Sequence, residues 1–217
     1  MLFQDRTDAG RRLAQKLMQY RDKSTVVLAL PRGGVVVGYE IAVALGVPLD
    51  VIITHKIPAP GNPEYAIGAV AENGETQLNQ DEIRLLGISS AYIQRETQRQ
   101  LEEIERRKSL YRGDKPLPPV AGRTVIIVDD GVATGYTMMA AVKAVKALRP
   151  RQIVVAVPVG PRETLDLLAE MADDVVVLDT PVPFFAVGVF YRNFEQTSDE
   201  DVRRTLDQAK AQGLRLQ

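Results

Sequence analysis

Two acids stand side by side where an apolar run ends: Val125, Ile126, Ile127 and Val128 lead into Asp129 and Asp130. A stretch bearing glycine and threonine, Gly131 to Thr137, follows them and opens a helical pattern. Neighbouring carboxylates repel one another, so a strand exit that is to be buried carries them only for a reason. Free backbone N–H groups at the start of that helix, its dipole and the hydroxyls of Thr134 and Thr137 make a small anion cradle beside the acids. An anion site next to two carboxylates suits a ligand with a phosphate at one end and hydroxyls or a metal at the other. A ribose 5-phosphate meets that description, with its phosphate on the loop and its 2- and 3-hydroxyls donating to the acids. The loop carries no lysine and is not a Walker A P-loop, nor does it match G-x-G-x-x-G.

A second stretch, "LPRGG" from Leu30 to Gly34, offers Arg32 as a side-chain ligand, while Gly33 and Gly34 let backbone amides approach an anion closely. His55 and Lys56 close the strand that comes next; His55 reads as a core or strand-end histidine rather than a ligand.

Strands and helices must bring these residues together. "TVVLAL" (25–30), the glycine turn, the helical "VVVGYEIAVAL" stopped by Gly46, and the strand "LDVIITH" (49–55) form one βαβ unit. The pattern returns in "RTVIIVDD", "YTMMAAVKAVKAL", "RQIVVAVPV", "PRETLDLLAEMA" and "DDVVVLD". Its strands are continuous apolar runs, as expected where helices cover both faces of a parallel sheet. The fold class is therefore α/β, a doubly wound, mostly parallel sheet, in which ligands bind beyond the carboxyl ends of the strands. Before it, "DAGRRLAQKLMQY" puts Leu13, Leu17 and Tyr20 on one helical face; at the end, Ser198 caps a helix whose first turn is acidic.

Between Lys56 and Arg123 the pattern breaks. Residues 57–75 are too rich in Pro and Gly to be a regular element and read as a flexible loop. Residues 76–120 read as a helical insertion, dominated by a long charged helix with the i,i+4 pairs Glu102–Arg106 and Glu103–Arg107. Its apolar stripe of Ile93, Leu101 and Ile104 is narrow. A homodimer contact, a cap over the site, or a solvated helix packed by one edge all fit, and the narrow stripe favours the last.

Composition limits the chemistry. The 217 residues include no Cys and one His, which removes thiolate zinc sites, cysteine nucleophiles and most Ser-His-Asp arrangements. A net charge of −1 and the lack of a basic patch interleaved with aromatics argue against nucleic acid. No apolar run approaches the ~20 residues of a membrane span, and the first residues lack a signal-peptide core, so a cytoplasmic location without membrane contact is expected.

The thirteen residues from Val125 to Thr137, "VIIVDDGVATGYT", resemble the phosphoribosyl-pyrophosphate (PRPP) motif of type I phosphoribosyltransferases: an apolar strand, two acids and a loop ending Thr-Gly-x-Thr. "PRGG" stands where that family has a pyrophosphate loop, and "KIPAPGNPE" and "AIGAV" mark a branch of predicted phosphoribosyltransferases. The resemblance spans nearly the full length, as one domain over 1–217 with a hood at 180–197. It implies transfer of a phosphoribosyl group from Mg·PRPP to a nitrogen nucleophile, a nucleobase for choice, with release of pyrophosphate. A non-catalytic PRPP-sensing protein is the alternative. Arg32, Lys56, Asp129 and Asp130 are the implied catalytic residues. PRPP would lie on Pro31, Arg32, Gly33 and Gly34, on the two acids, and on Gly131, Val132, Ala133, Thr134, Gly135, Tyr136 and Thr137. The peptide between Pro31 and Arg32 is expected to be cis or otherwise strained. Magnesium would be held through PRPP and water, with no protein cage. "PFFAVGVFYRNF" (183–194) resembles the hood of purine-salvage members, with Phe185 stacking on the base beside Val187; Arg192 stands where those enzymes have an acid.

Overall fold

The continuous apolar runs become the strands of a parallel sheet in the computed structural model, which describes residues 2–22, 24–113, 115–117 and 119–215. Strands β1 (Thr25–Ala29), β2 (Leu49–Val51), β6 (Thr124–Val128), β7 (Gln152–Val159) and β8 (Asp174–Asp179) lie in the order β2-β1-β6-β7-β8, every pair parallel. Both faces are covered. Val27, Ala29, Ile126 and Val128 meet helices α1 (Arg6–Lys16) and α2 (Gly34–Leu45), together with α7 (Asp199–Ala211). Val26, Leu28, Val125 and Ile127 meet α5 (Tyr136–Ala147), with α6 (Arg162–Ala169) on the same face. This is the doubly wound α/β arrangement, and its chain order reverses between β1 and β6. Those two strands are paired level, Ala29 opposite Val128, so the loops leaving them emerge side by side.

The second strand is shorter than its apolar run. Residues 49–55 divide into β2 and the start of β3 (Thr54–Ala59), which belongs to a separate antiparallel sheet with β4 (Asn62–Ala71) and β5 (Thr76–Leu78). This corrects the irregular reading of 57–75. Pro60 and Gly61 form the two-residue turn between Ala59 and Asn62, with Gly61 at φ 74°, and Pro58 sits where the register shifts. The prolines and glycine that argue against a strand are the turn and bulge of a hairpin.

Within 76–120 the chain is helical only from α3 (Gln80–Leu85), and α4 (Ser90–Arg112) follows. The helix α4 is not a solvated rod held by one edge. The Tyr92 hydroxyl donates to the Pro58 carbonyl at 3.0 Å, and the Tyr111 hydroxyl donates to Asp199 at 2.6 Å. Arg112 forms an ion pair with Glu72, the residue that follows β4, and both side chains are more than nine-tenths buried. Glu96 and Gln100 are buried too, and their polarity hides the width of the packed face from a reading of apolar residues alone. Among the described residues, no helix is long and apolar enough to cross a membrane.

Burial pushes the Glu72 carboxyl up to about 6, against the pull of Arg112. Arg112→Met leaves that carboxylate buried without its partner and should cost about 3–5 kcal/mol of unfolding free energy at pH 7 by urea denaturation. The loss should shrink as pH falls toward about 6, because removing Arg112 raises the Glu72 pKa further and the variant's folded state takes up a proton before the wild type does.

Candidate functional site

The two loops at the switch point touch through the acids. A Cβ on Gly33 would lie 1.9 Å from Asp130 Oδ2 and 2.7 Å from Arg6 Nε, so only glycine lets the first loop close on the second. Asp129 Oδ1 accepts from the Asp130 N–H at 2.8 Å. Asp130 Oδ2 accepts from Arg6 Nε at 2.7 Å, in a pair whose side chains are only 12% and 15% exposed. Arg6 is itself held three ways: by Asp130, by the Glu195 carbonyl at 2.7 Å from Nη1, and by the Phe194 ring, whose centroid lies 3.9 Å from the guanidinium carbon. The Tyr191 hydroxyl donates to the Asp130 carbonyl at 2.5 Å.

The acids are therefore compensated differently. Burial, and then the neighbouring Asp130, push Asp129 well above the usual carboxylate range, favouring its protonated form. Asp130 is the member paired with a cation, Arg6. Adjacency in the sequence suggests that the two acids matter equally to folding; Arg6 removes that symmetry.

The Pro31–Arg32 peptide is cis, as expected. Arg32 is exposed, with Nη1 3.8 Å from Asp199 Oδ1, a loose pair that leaves the guanidinium free to move. Asp199 is held ionised, below its ordinary value, by the Tyr111 hydroxyl and then by Arg106. In the second loop Ala133 and Thr134 are exposed. The Thr164 hydroxyl steadies them by donating to the Ala133 carbonyl at 2.7 Å. Two loop residues are committed to the fold. The Val132 N–H donates to Val159 and its side chain is buried, while the Tyr136 hydroxyl accepts from Asn79 at 2.7 Å.

On one flank, Val187 packs over Gly131, and Phe184 stacks on Phe190 with centroids 5.3 Å apart. Phe185 instead is 79% exposed. On the other flank, Lys56 stands beside Pro31 and Thr137 on a cavity of about 600 Å³ whose far wall is α4. His55 lies on β3 in the same cavity, half-buried. Burial and Arg107 lower its pKa, which leaves the imidazole neutral near pH 7.

Sequence reasoning missed Arg6 and Tyr191, and for α4, which lines one wall of this cavity, it favoured a solvated helix over a cap. Arg6 lies 124 positions from Asp130 and reads as an ordinary surface arginine near a helix start; no local pattern ties it to the acids.

Comparison with known proteins agrees with this geometry. Residues 3–191 match the phosphoribosyl transferase domain family. Two curated Mycobacterium tuberculosis proteins, from strains CDC 1551 and H37Rv, each named "Putative phosphoribosyl transferase", are 47% identical over 208 residues. The match covers 96% of this chain and 47% of each relative, so the chain spans about half the length of the curated relatives it matches. The crystal structure of TT1426 from Thermus thermophilus is 45% identical, with a TM-score of 0.79 over 95% of this chain and 98% of that one. With the family's domain matched over most of its length, the chain belongs to the phosphoribosyltransferase family.

Proposed function

We propose that the chain binds Mg·PRPP at the switch point and transfers its phosphoribosyl group to a nitrogen nucleophile, releasing pyrophosphate. The observation that carries this reading is the contact of the two loops: an acid pair followed by an anion cradle, pressed against a cis-peptide loop bearing Arg32. The 5-phosphate lies on the backbone of Ala133 to Thr137 and the hydroxyls of Thr134 and Thr137, at the N-terminus of α5. The ribose hydroxyls donate to Asp129 and to the oxygen of Asp130 that Arg6 leaves free. Arg32, Lys56 and the Gly33–Gly34 amides hold the pyrophosphate and stabilise the negative charge that grows there as the C1–oxygen bond breaks. The nucleophile attacks C1 from the opposite side, and no protein nucleophile is required.

Among the described residues no three His, Cys, Asp or Glu side chains cluster closely enough to hold a metal. The charge of Asp130 is already engaged by Arg6. A magnesium ion fits this site through the oxygens of PRPP and water, where it would neutralise the departing pyrophosphate. The exposed ring of Phe185 offers a stacking face for a nucleobase acceptor. The hairpin formed by β3 and β4 remains the candidate for a segment that tightens on the ligand. Pyrophosphate release from PRPP, assayed against a panel of bases and amines, tests the whole reading; PRPP binding without release under any acceptor would favour a sensing protein.

Arg32→Ala should weaken PRPP by about 1.5–3 kcal/mol and leave ribose 5-phosphate nearly unchanged, because only PRPP carries the group this side chain holds. Calorimetric titration of both ligands checks it, and equal losses would place Arg32 elsewhere.

The acids should separate in a thermal-shift experiment. Asp129→Asn should keep or slightly raise the melting temperature of the empty protein while losing the shift given by Mg·PRPP. Asp130→Asn should lose that shift and also lower the melting temperature, since it strands Arg6 in a buried position. A stability loss for Asp129→Asn with ligand response intact would make that acid a structural cap.

A further inference from the structure

The insertion leads the chain away from the sheet and back, and α4 returns to lie across the flank of the site. The cavity of about 600 Å³ between β3 and α4 has one wall made of residues already placed at the switch point: Pro31 of the cis peptide, Lys56 and Thr137. The opposite wall is helix, and Arg99 and Arg107 both face the cavity from it. The two arginines are restrained differently. Arg107 Nε is bonded to Glu103 at 2.7 Å and its side chain is 17% exposed. Arg99 is 78% exposed and stands 3.8 Å from Glu96, too far for a firm hydrogen bond.

Glu96 and Glu103 partly balance these cations, yet Glu96 is also bonded to the buried Gln100, which turns it along the helix.

We propose that α4 is a fixed wall of the ligand site, and that Arg99 and Arg107 bind the diphosphate of PRPP together with Lys56. This rests on the PRPP reading given above and extends it to the insertion. The helix is held at its C-terminal end by the buried pair of Arg112 with Glu72 and, through Tyr111, by Asp199 of α7, so these charges stand ready before the ligand arrives. Charge placed in advance needs no reorganisation when the diphosphate departs, which is the condition under which electrostatic stabilisation is most effective. The cavity is larger than a diphosphate, leaving room for the water that would accompany it.

The test is calorimetric titration of wild type, Arg99→Gln, Arg107→Gln and Arg99→Lys with PRPP, pyrophosphate and ribose 5-phosphate, each with magnesium. Either glutamine variant should weaken PRPP and pyrophosphate by about 10- to 100-fold and leave ribose 5-phosphate within about twofold. Arg99→Lys should retain most of the PRPP affinity. Arg99 is exposed, so if Arg107→Gln unfolds the protein, Arg99→Gln decides alone. Wild-type PRPP affinity in Arg99→Gln, or equal weakening of ribose 5-phosphate, would overturn the assignment while leaving the PRPP site itself standing. A wild-type protein that binds neither PRPP nor ribose 5-phosphate would overturn the functional reading, and this assignment with it.

Discussion

A carboxylate pair at the exit of a buried strand has to be compensated, and the way Asp129 and Asp130 are compensated organises much of the molecule around the site. Burial favours the protonated form of Asp129, and Arg6 pairs with Asp130 across 124 residues of chain. To deliver Arg6, α1 must begin where it does, against the end of the hood segment. Phe194 and the Glu195 carbonyl pin that segment to the guanidinium, and Tyr191 pins it to the backbone of Asp130. Gly33 follows from the same constraint, since any side chain there would strike the ion pair. The N-terminus, the hood and the first loop are thus positioned by one electrostatic requirement of the second loop.

That requirement is met where the topology makes it useful. With β1 and β6 adjacent and level, the loops diverge from one point, and the crevice between them opens beyond the sheet. The crevice has unlike sides. Toward β8 it meets the apolar Val187, packed over Gly131; toward β2 it meets Lys56, His55 and the charged face of α4. A ligand with an anionic leaving group at one end and a planar acceptor approaching from the other suits such an asymmetry.

Much of this is legible in the sequence because the sheet is buried on both faces. Runs such as Val125–Val128 and Ile153–Val157 declare a parallel strand without help from distant residues, and the acid pair and the glycine turn announce themselves by adjacency. The hairpin escapes such a reading because Pro58, Pro60, Gly61 and Pro63 look like breakers, although Pro60-Gly61 is the pair a tight turn calls for. The packing of α4 escapes it for a different reason: the buried face carries Glu96, Gln100 and Arg112, whose burial depends on partners that periodicity does not show. Arg6 has no signal at all. A single arginine becomes part of a site only when the fold carries it to a carboxylate, and that information is distributed over the whole chain.

If the crevice is built for PRPP, hydrogen bonds from the ligand hydroxyls favour Asp129 as a carboxylate, and binding should release a proton from it. Calorimetric titration of the wild-type protein with Mg·PRPP, run at one pH in two buffers of different ionisation enthalpy, measures both parts together. Saturable binding at one site per chain, with net release of a proton because the pKa of Asp129 is raised in the empty site, is the predicted result. Saturable binding with no proton released would contradict the charge state assigned to the acid pair. No binding of Mg·PRPP would contradict the account of the site as a whole.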